Sequence, residues 1–111
     1  MGDPEFRKVL DEMWAVHVQK SADYGKTGDR FANYSAGERS GYDAWESVWL
    51  RIEEKVTRLE NFVATGKLHN EQIEESLLDL ANHVVIMLVL YRRKEAERCN
   101  GNLQLYLPPG C

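Results

Sequence analysis

Polar side chains recur at helical spacing inside a mostly apolar stretch of the sequence, from Glu74 to Tyr91. On a helix, in which successive residues turn by about 100°, four of them share one face: Glu75, Asp79, Asn82 and His83. The turns that follow, Val84 to Leu90, are apolar on every side, so we expect them to be buried. Ionised carboxylates are rarely buried without a partner or a metal. The two acids therefore predict either ion pairs or a bound cation.

Another stripe of the same helix is apolar along its whole length. Its members are Ile73, Leu77, Leu80, Ala81, Val84, Leu88 and Tyr91. Two other helices of one chain offer too little surface to cover a helix that is apolar all round. We therefore expect a homo-oligomer, a dimer or a tetramer, with this helix at the interface.

The second predicted helix carries charged residues that should lie level with these acids. Along one line it places Ser47, Arg51, Glu54, Arg58 and Asn61, with Lys55 at the edge. Only residues 65–69 join the two helices, so they should pack as an antiparallel hairpin. Counting outward from Lys67 places Glu54 level with residues 79–82. The pattern thus brings Glu54, Glu75 and Asp79 within reach of one another.

Two interpretations of this charge cluster fit the pattern. In the first, it is a salt-bridge network, with Glu54 and Arg58 paired along one helix and arginines crossing to the acids of the other. In the second, the three carboxylates Glu54, Glu75 and Asp79 hold Mg²⁺, which keeps several waters and leaves room for a phosphate-bearing substrate. Arg51, Lys55 and Arg58 would then contact phosphate oxygens. The pattern alone leaves both interpretations open.

Three helices account for most of the chain and predict a single all-α domain, a helical bundle that spans residues 1–111. The first, about 4–22, begins with Asp3 as N-cap and Pro4 in the first turn. The second, about 43–64, begins with a capping box of Asp43 and Glu46 and ends at Gly66. The third, about 70–99, is capped by Asn70. A tail of residues 100–111 follows.

An irregular loop of residues 23–42 connects the first two helices. It contains four aromatic side chains, Tyr24, Phe31, Tyr34 and Tyr42, which is too many for a disordered linker. Long loops in compact domains are often functional. The composition fits a packed loop and a ligand lid equally well.

Composition excludes several classes of function. The formal charge of −4 argues against a nucleic-acid binder or a protein that binds anionic membranes, because both present a basic face. The longest apolar run is far shorter than the roughly 20 residues of a membrane span. Cys99 and Cys111 have no C-x-x-C spacing and are predicted as free thiols. With no secretory signal at the N-terminus, we expect a cytoplasmic protein.

Four short motifs resemble a known family. They are Lys20-Ser-Ala-Asp23-Tyr24-Gly25, Phe31-Ala-Asn33, Arg51-x-x-Glu54-Lys55-x-x-Arg58-Leu59 and Glu75-x-x-x-Asp79-x-x-Asn82. Their order and spacing resemble small phage and bacterial proteins at the edge of the all-α nucleoside-triphosphate pyrophosphatase superfamily, the MazG-like proteins. The resemblance covers residues 6–91. It implies helical bundles that oligomerise, bind Mg²⁺ and hydrolyse a nucleoside triphosphate to the monophosphate and pyrophosphate.

The resemblance also implies roles for individual residues. Glu54, Glu75 and Asp79 would be the metal ligands, with Glu53 a less certain fourth, and Glu54 and Asp79 would be catalytic. The substrate would contact Lys20, Asp23, Tyr24, Asn33, Arg51, Lys55, Arg58 and Asn82, with Lys20, Asp23 and Tyr24 lying around the nucleoside. Among these, Asn82 would orient a phosphate or a water.

The sequence departs from the acidic pattern of the superfamily at two places. Thr57 stands where the pattern has a third glutamate, and Glu75 and Asp79 are one residue further apart than in E-x-x-D. Three hypotheses follow: a Mg²⁺-dependent nucleotide pyrophosphohydrolase, a nucleotide-binding protein or sensor without catalysis, and an oligomeric helical adaptor whose charge cluster is purely structural.

Overall fold

The computed structural model describes residues 1–23, 41–67 and 72–101. These residues form three helices, α1 (Pro4–Asp23), α2 (Ala44–Thr65) and α3 (Ile73–Gly101), and contain no strand. The predicted all-α fold with three main helices is therefore confirmed. Three parts of the chain that were given a role from sequence lie outside the described residues: the cap Asn70, loop residues 24–40 and tail residues 102–111.

The ends of the helices follow from local sequence. At the start of α1, the backbone N–H of Glu5 donates to Asp3 Oδ1 at 2.8 Å. At the start of α2, the N–H of Asp43 donates to Glu46 Oε1 at 3.3 Å, as in the predicted capping box. Gly66 ends α2 in the left-handed conformation, with φ of 73°, which glycine adopts without steric cost. The first described turn of α3 begins at Ile73, three residues later than predicted.

Helices α2 and α3 pack as the antiparallel hairpin that the short connection predicted. Two ion pairs between them show the direction: Lys55 pairs with Asp79, and Lys94 pairs with Asp43. Because the residue number falls on one helix as it rises on the other, the helices run in opposite directions. Helix α1 packs less extensively, mainly against α3.

The core of the described chain lies between α2 and α3 and is small. It consists of Val48 and Ile52 from α2 with Ile86 and Leu90 from α3. Ala44, Trp45, Leu80 and Met87 pack against it and are partly buried. This core joins α2 to α3, and none of its described residues comes from α1.

The face of α3 that meets α2 differs from the apolar stripe of the sequence. Asp79, His83, Ile86 and Leu90 lie along one side of α3, and this side packs against α2. The stripe of Leu77, Val84, Leu88 and Tyr91 remains about half exposed. In the single chain Val84, Val85 and Leu88 are about half exposed, because one hairpin partner covers one face only; their burial in an oligomer stays a prediction.

Helix α1 also exposes its apolar side chains. Phe6 and Trp14 are 68% and 67% exposed, and Val9, Leu10 and Val18 exceed 40%. Contiguous exposed apolar surface of this kind is uncommon on a monomer and marks an interaction surface.

The cysteine prediction is corrected at Cys99, which is disulfide-bonded; Cys111 lies outside the described residues. A missing C-x-x-C motif does not prevent pairing, because geometry decides which cysteines can join. Disulfides are rare in a reducing cytoplasm, so thiol chemistry no longer supports the cytoplasmic prediction. None of the described helices combines the length and hydropathy needed to cross a membrane.

The small core can be tested with one substitution at two positions of α2. Val48 is fully buried, whereas Val63 is 84% exposed. We expect Val48→Ala to lower the free energy of unfolding by about 1.5–3 kcal/mol, because that is the gain from burying a valine side chain. The matched control Val63→Ala should change it by less than about 0.5 kcal/mol. Urea denaturation measures both, and equal effects would contradict the observed core.

Candidate functional site

A polar cleft lies where the three helices meet. Its volume is about 330 Å³, and the described side chains that line it are Val16, Lys20, Lys55, Glu75, Leu78 and Asp79. Lys20 comes from α1, Lys55 from α2, and the two acids from α3. All four charged residues were predicted as site residues from sequence. The fold thus brings together residues from three separate motifs.

The shortest charge contact in the cleft joins α2 to α3. Lys55 Nζ lies 2.9 Å from Asp79 Oδ2, and the two side chains are 14% and 22% exposed. A contact of this length between partly desolvated groups is a charge-assisted hydrogen bond. The hairpin register was therefore predicted correctly, but the residue of α2 that faces Asp79 is Lys55.

The surroundings of Asp79 favour its charged form. Burial by itself raises the pKa of the Asp79 carboxyl, whereas the hydrogen bond from Lys55 lowers it. Electrostatic interactions with His83, Lys55 and Lys20 lower this pKa further, and the net result lies below the ordinary aspartate value. Asp79 is therefore ionised at neutral pH and able to act as a cation ligand.

His83 contacts Asp79 from the next turn of α3. Its Nδ1 lies 2.6 Å from the backbone carbonyl oxygen of Asp79 and 3.4 Å from the carboxylate oxygen Oδ1. The ring is buried, and the short distance fits an Nδ1–H that donates to the carbonyl. Sequence placed His83 on the polar face but assigned it no role; its i, i+4 spacing from Asp79 was the available signal.

Asn82 is buried on the same helix, with 5% of its surface exposed. Its Nδ2 has no hydrogen-bond partner within residues 1–23, 41–67 and 72–101. A buried donor without a partner is costly, so this amide has the capacity to donate to a bound group or a water. Asn82 is not among the described side chains that line the cleft.

The predicted metal ligand Glu54 lies away from the other two. It is exposed on α2, with its Oε2 3.8 Å from Arg51 Nη1. A one-residue step from Lys55 turns its side chain by about 100°, away from the face that meets α3. Within the described part of the chain, no three His, Cys, Asp or Glu side chains are grouped to hold a metal ion.

The acids that do line the cleft fit Mg²⁺ in a different arrangement. Glu75 and Asp79 are one helical turn apart and open to the same cleft. Proteins usually bind Mg²⁺ through one or two carboxylates together with substrate phosphates, and only rarely through a cage of protein ligands. The donor set therefore fits a metal that arrives with a phosphate ligand.

The remaining predicted site residues are not brought into the cleft by the described structure. Arg51 and Arg58 are exposed on α2. Asp23 is the last residue of α1, and its side chain is not described. Tyr24 and Asn33 lie outside the described residues. Their predicted contacts with a substrate stay predictions.

Comparison with known proteins gives no relative: no family model, curated protein or solved structure matches this chain. The likeness to MazG-like proteins therefore rests on the sequence motifs, and membership of that superfamily stays a prediction.

The lowered pKa of Asp79 makes stability depend on pH. We expect Asp79→Asn to cost about 1–3 kcal/mol of unfolding free energy at neutral pH, because it removes a charge-assisted contact from a partly buried lysine. The contribution is complete above the ordinary aspartate pKa of about 3.9. It is lost as the pH falls through the lower pKa of the folded protein.

Urea denaturation of wild type and Asp79→Asn across this range measures the difference. Asp11→Asn is the control, because Asp11 forms an exposed pair with Arg7 at 3.2 Å, and such pairs contribute about 0–1 kcal/mol. A difference between wild type and Asp79→Asn that stays constant down to acid pH would contradict the assignment.

Proposed function

We propose that this chain is a Mg²⁺-dependent nucleotide pyrophosphohydrolase, which converts a nucleoside triphosphate to the monophosphate and pyrophosphate. The observation that carries the proposal is the cleft itself. Lys20, Lys55, Glu75 and Asp79 come from three separate motifs of the sequence, and they line one cavity between three helices.

The two lysines suit the phosphate groups of a nucleotide. Lys20 and Lys55 approach from different helices, and an ammonium group is a compact donor that binds phosphate oxygens. The volume of about 330 Å³ lies at the lower end of the range for ligand sites. We therefore assign the cleft to the phosphates, with the nucleoside extending beyond it.

Glu75 and Asp79 would hold Mg²⁺ together with the phosphates. When bound there, the metal would polarise the phosphoryl oxygens and lower the pKa of a bound water. Lys55 pairs with Asp79 and would donate to a phosphate oxygen of the bound nucleotide. Water adds to the α-phosphorus, and the bond to the α–β bridging oxygen breaks. Glu54 lies outside the described cleft-lining set, so its predicted catalytic role has no support from the geometry.

The second candidate function is nucleotide binding without hydrolysis. Two observations favour it. The ion pair with Lys55 engages Asp79, an acid that catalysis needs. The second observation concerns Thr57. At this position, where the superfamily pattern has a glutamate, the hydroxyl donates to the backbone carbonyl of Glu53 at 3.0 Å. The adaptor hypothesis is the third candidate, in which the cluster only joins helices.

Substitution of Lys20 tests the phosphate site. Lys20→Gln keeps the length of the side chain nearly unchanged but removes its charge. We expect it to weaken nucleotide binding by roughly tenfold or more, because hydrogen bonds from charged groups contribute about 1.5–3 kcal/mol. Lys67→Gln is the control, since Lys67 is exposed and does not line the cleft. Binding is measured by thermal melting with Mg²⁺ and a panel of nucleoside triphosphates.

Pyrophosphate release, followed in the same samples, separates the three hypotheses. Release that requires Mg²⁺ and falls in Lys20→Gln supports the enzyme. A nucleotide-dependent rise in melting temperature without release selects the binding protein. No rise with any nucleotide selects the adaptor and contradicts both others.

Self-association through α3 is a further part of the proposal. Leu77, Val84, Leu88 and Tyr91 form one stripe that the chain leaves about half exposed. Since a second copy offers the same stripe, a two-fold symmetric contact would bury both. The exposed apolar side chains of α1 would extend this contact or form another.

Leu88 provides the test of assembly. We expect the wild type to sediment as a dimer or tetramer and Leu88→Glu to shift it toward monomer, because a charge in an apolar interface is desolvated without a partner. Val63→Glu introduces the same charge at an exposed site on α2 and should leave the assembly intact. Sedimentation velocity measures all three proteins, and a monomeric wild type would contradict the proposal.

A further inference from the structure

A second cavity of about 500 Å³ lies at the beginning of α2. Trp45 is ten residues from Lys55 along the same helix, which corresponds to about 15 Å. The two cavities share no described lining residue. This volume is within the range of small-molecule sites, and the proposed hydrolysis makes no use of it.

Three aromatic side chains contribute to the cavity wall. Tyr42, Trp45 and Trp49 line it, and Leu50 and Met87 add apolar surface. Trp45 is held by a neighbour: its ring centroid lies 5.5 Å from that of Tyr91, with the ring planes at 89°. A T-shaped contact of this kind is attractive and restrains the indole before any ligand binds.

One charged group belongs to this wall. Among the described side chains that line the cavity, Glu46 carries the only formal charge. Its carboxylate accepts a hydrogen bond from the backbone N–H of Asp43 at 3.3 Å, and this capping contact restrains it. Asp43 itself lies 3.3 Å from Lys94, so its charge is balanced within the protein. Glu46 therefore supplies the negative charge at the cavity.

We propose that this cavity binds an organic cation that carries a quaternary ammonium group. Indole and phenol rings attract a cation at their faces, and the carboxylate of Glu46 adds a charge of opposite sign. A neutral apolar ligand would gain nothing from the carboxylate of Glu46. A hard metal ion needs several oxygen ligands, which three aromatic rings do not provide. An anionic ligand is repelled by the carboxylate.

The charge of the ligand is tested with two probes of the same shape. Choline carries a trimethylammonium group, and 3,3-dimethyl-1-butanol replaces it with an uncharged tert-butyl group. We expect choline to bind about tenfold more tightly, in accord with the strength of cation–π contacts. Titration calorimetry on the full chain measures both affinities.

The position of the site is tested by the indole N–H signals in nuclear magnetic resonance spectra. The chain has three tryptophans, of which Trp45 and Trp49 line the cavity, while Trp14 lies on α1. Choline should shift the signals of Trp45 and Trp49 and leave that of Trp14 in place. A shift confined to Trp14 would overturn the assignment.

Glu46→Gln tests the carboxylate without removing the capping box, because glutamine also serves at that position. We expect the preference for choline over the alcohol to disappear in this variant. Glu60→Gln, an exposed position on the same helix that does not line the cavity, should keep the preference. Circular dichroism checks that both variants remain folded. Equal binding of the two probes to the wild type, or binding of neither, overturns the proposal.

Discussion

The ion pair between Lys55 and Asp79 is the contact that ties the packing of α2 against α3 to the candidate site. It joins α2 to α3 at 2.9 Å, and it sets which turns of the two helices are level. Because both side chains are mostly buried, removing one partner would leave the other charge poorly solvated. The same pair forms one wall of the polar cleft, so packing of the hairpin and geometry of the candidate site are not separable.

The burial of this charge pair determines what the rest of α3 can do. The face of α3 that carries Asp79 and His83 continues into Ile86 and Leu90, which pack on Val48 and Ile52. Once this face meets α2, the apolar stripe of Leu77 and Val84 points away from the hairpin and stays about half exposed. Helix α3 therefore packs the face that carries Asp79 and His83 against α2 and leaves its apolar stripe about half exposed. This distribution is unfavourable for an isolated chain and is reasonable for one that associates with another copy.

Local features of the sequence predicted the fold well. Asp3, Asp43, Glu46 and Gly66 each act where capping rules place them, because caps depend on a few neighbouring residues. The short connection between α2 and α3 also predicted correctly which charged turns of the two helices lie level with each other. These features need no knowledge of which face of a helix packs, and for that reason they were accessible from sequence.

Which face of each helix packs against its neighbours could not be predicted from such local features. Glu54 and Lys55 are neighbours in sequence, but a step of about 100° decides which one meets Asp79. The sequence pattern placed Glu54 level with Asp79 and left open whether the charge cluster is a salt-bridge network or a metal site, since periodicity cannot weigh a buried ion pair against apolar burial. The disulfide of Cys99 was missed for a related reason: pairing depends on distance in the fold and not on a local motif.

Two cavities of opposite character follow from this hairpin. Near its turn, Lys20 and Lys55 meet Glu75 and Asp79 in a cleft suited to phosphate and a metal. Toward the other end, Trp45 and Trp49 with Glu46 form a wall suited to a cation. Both cavities depend on the packing of α2 against α3. The polar cleft depends on it through Lys55 and Asp79, and the aromatic cavity depends on it through Met87, which lies beside the core. That packing is held by the apolar core of the described residues, in which Val48 and Ile52 of α2 meet Ile86 and Leu90 of α3.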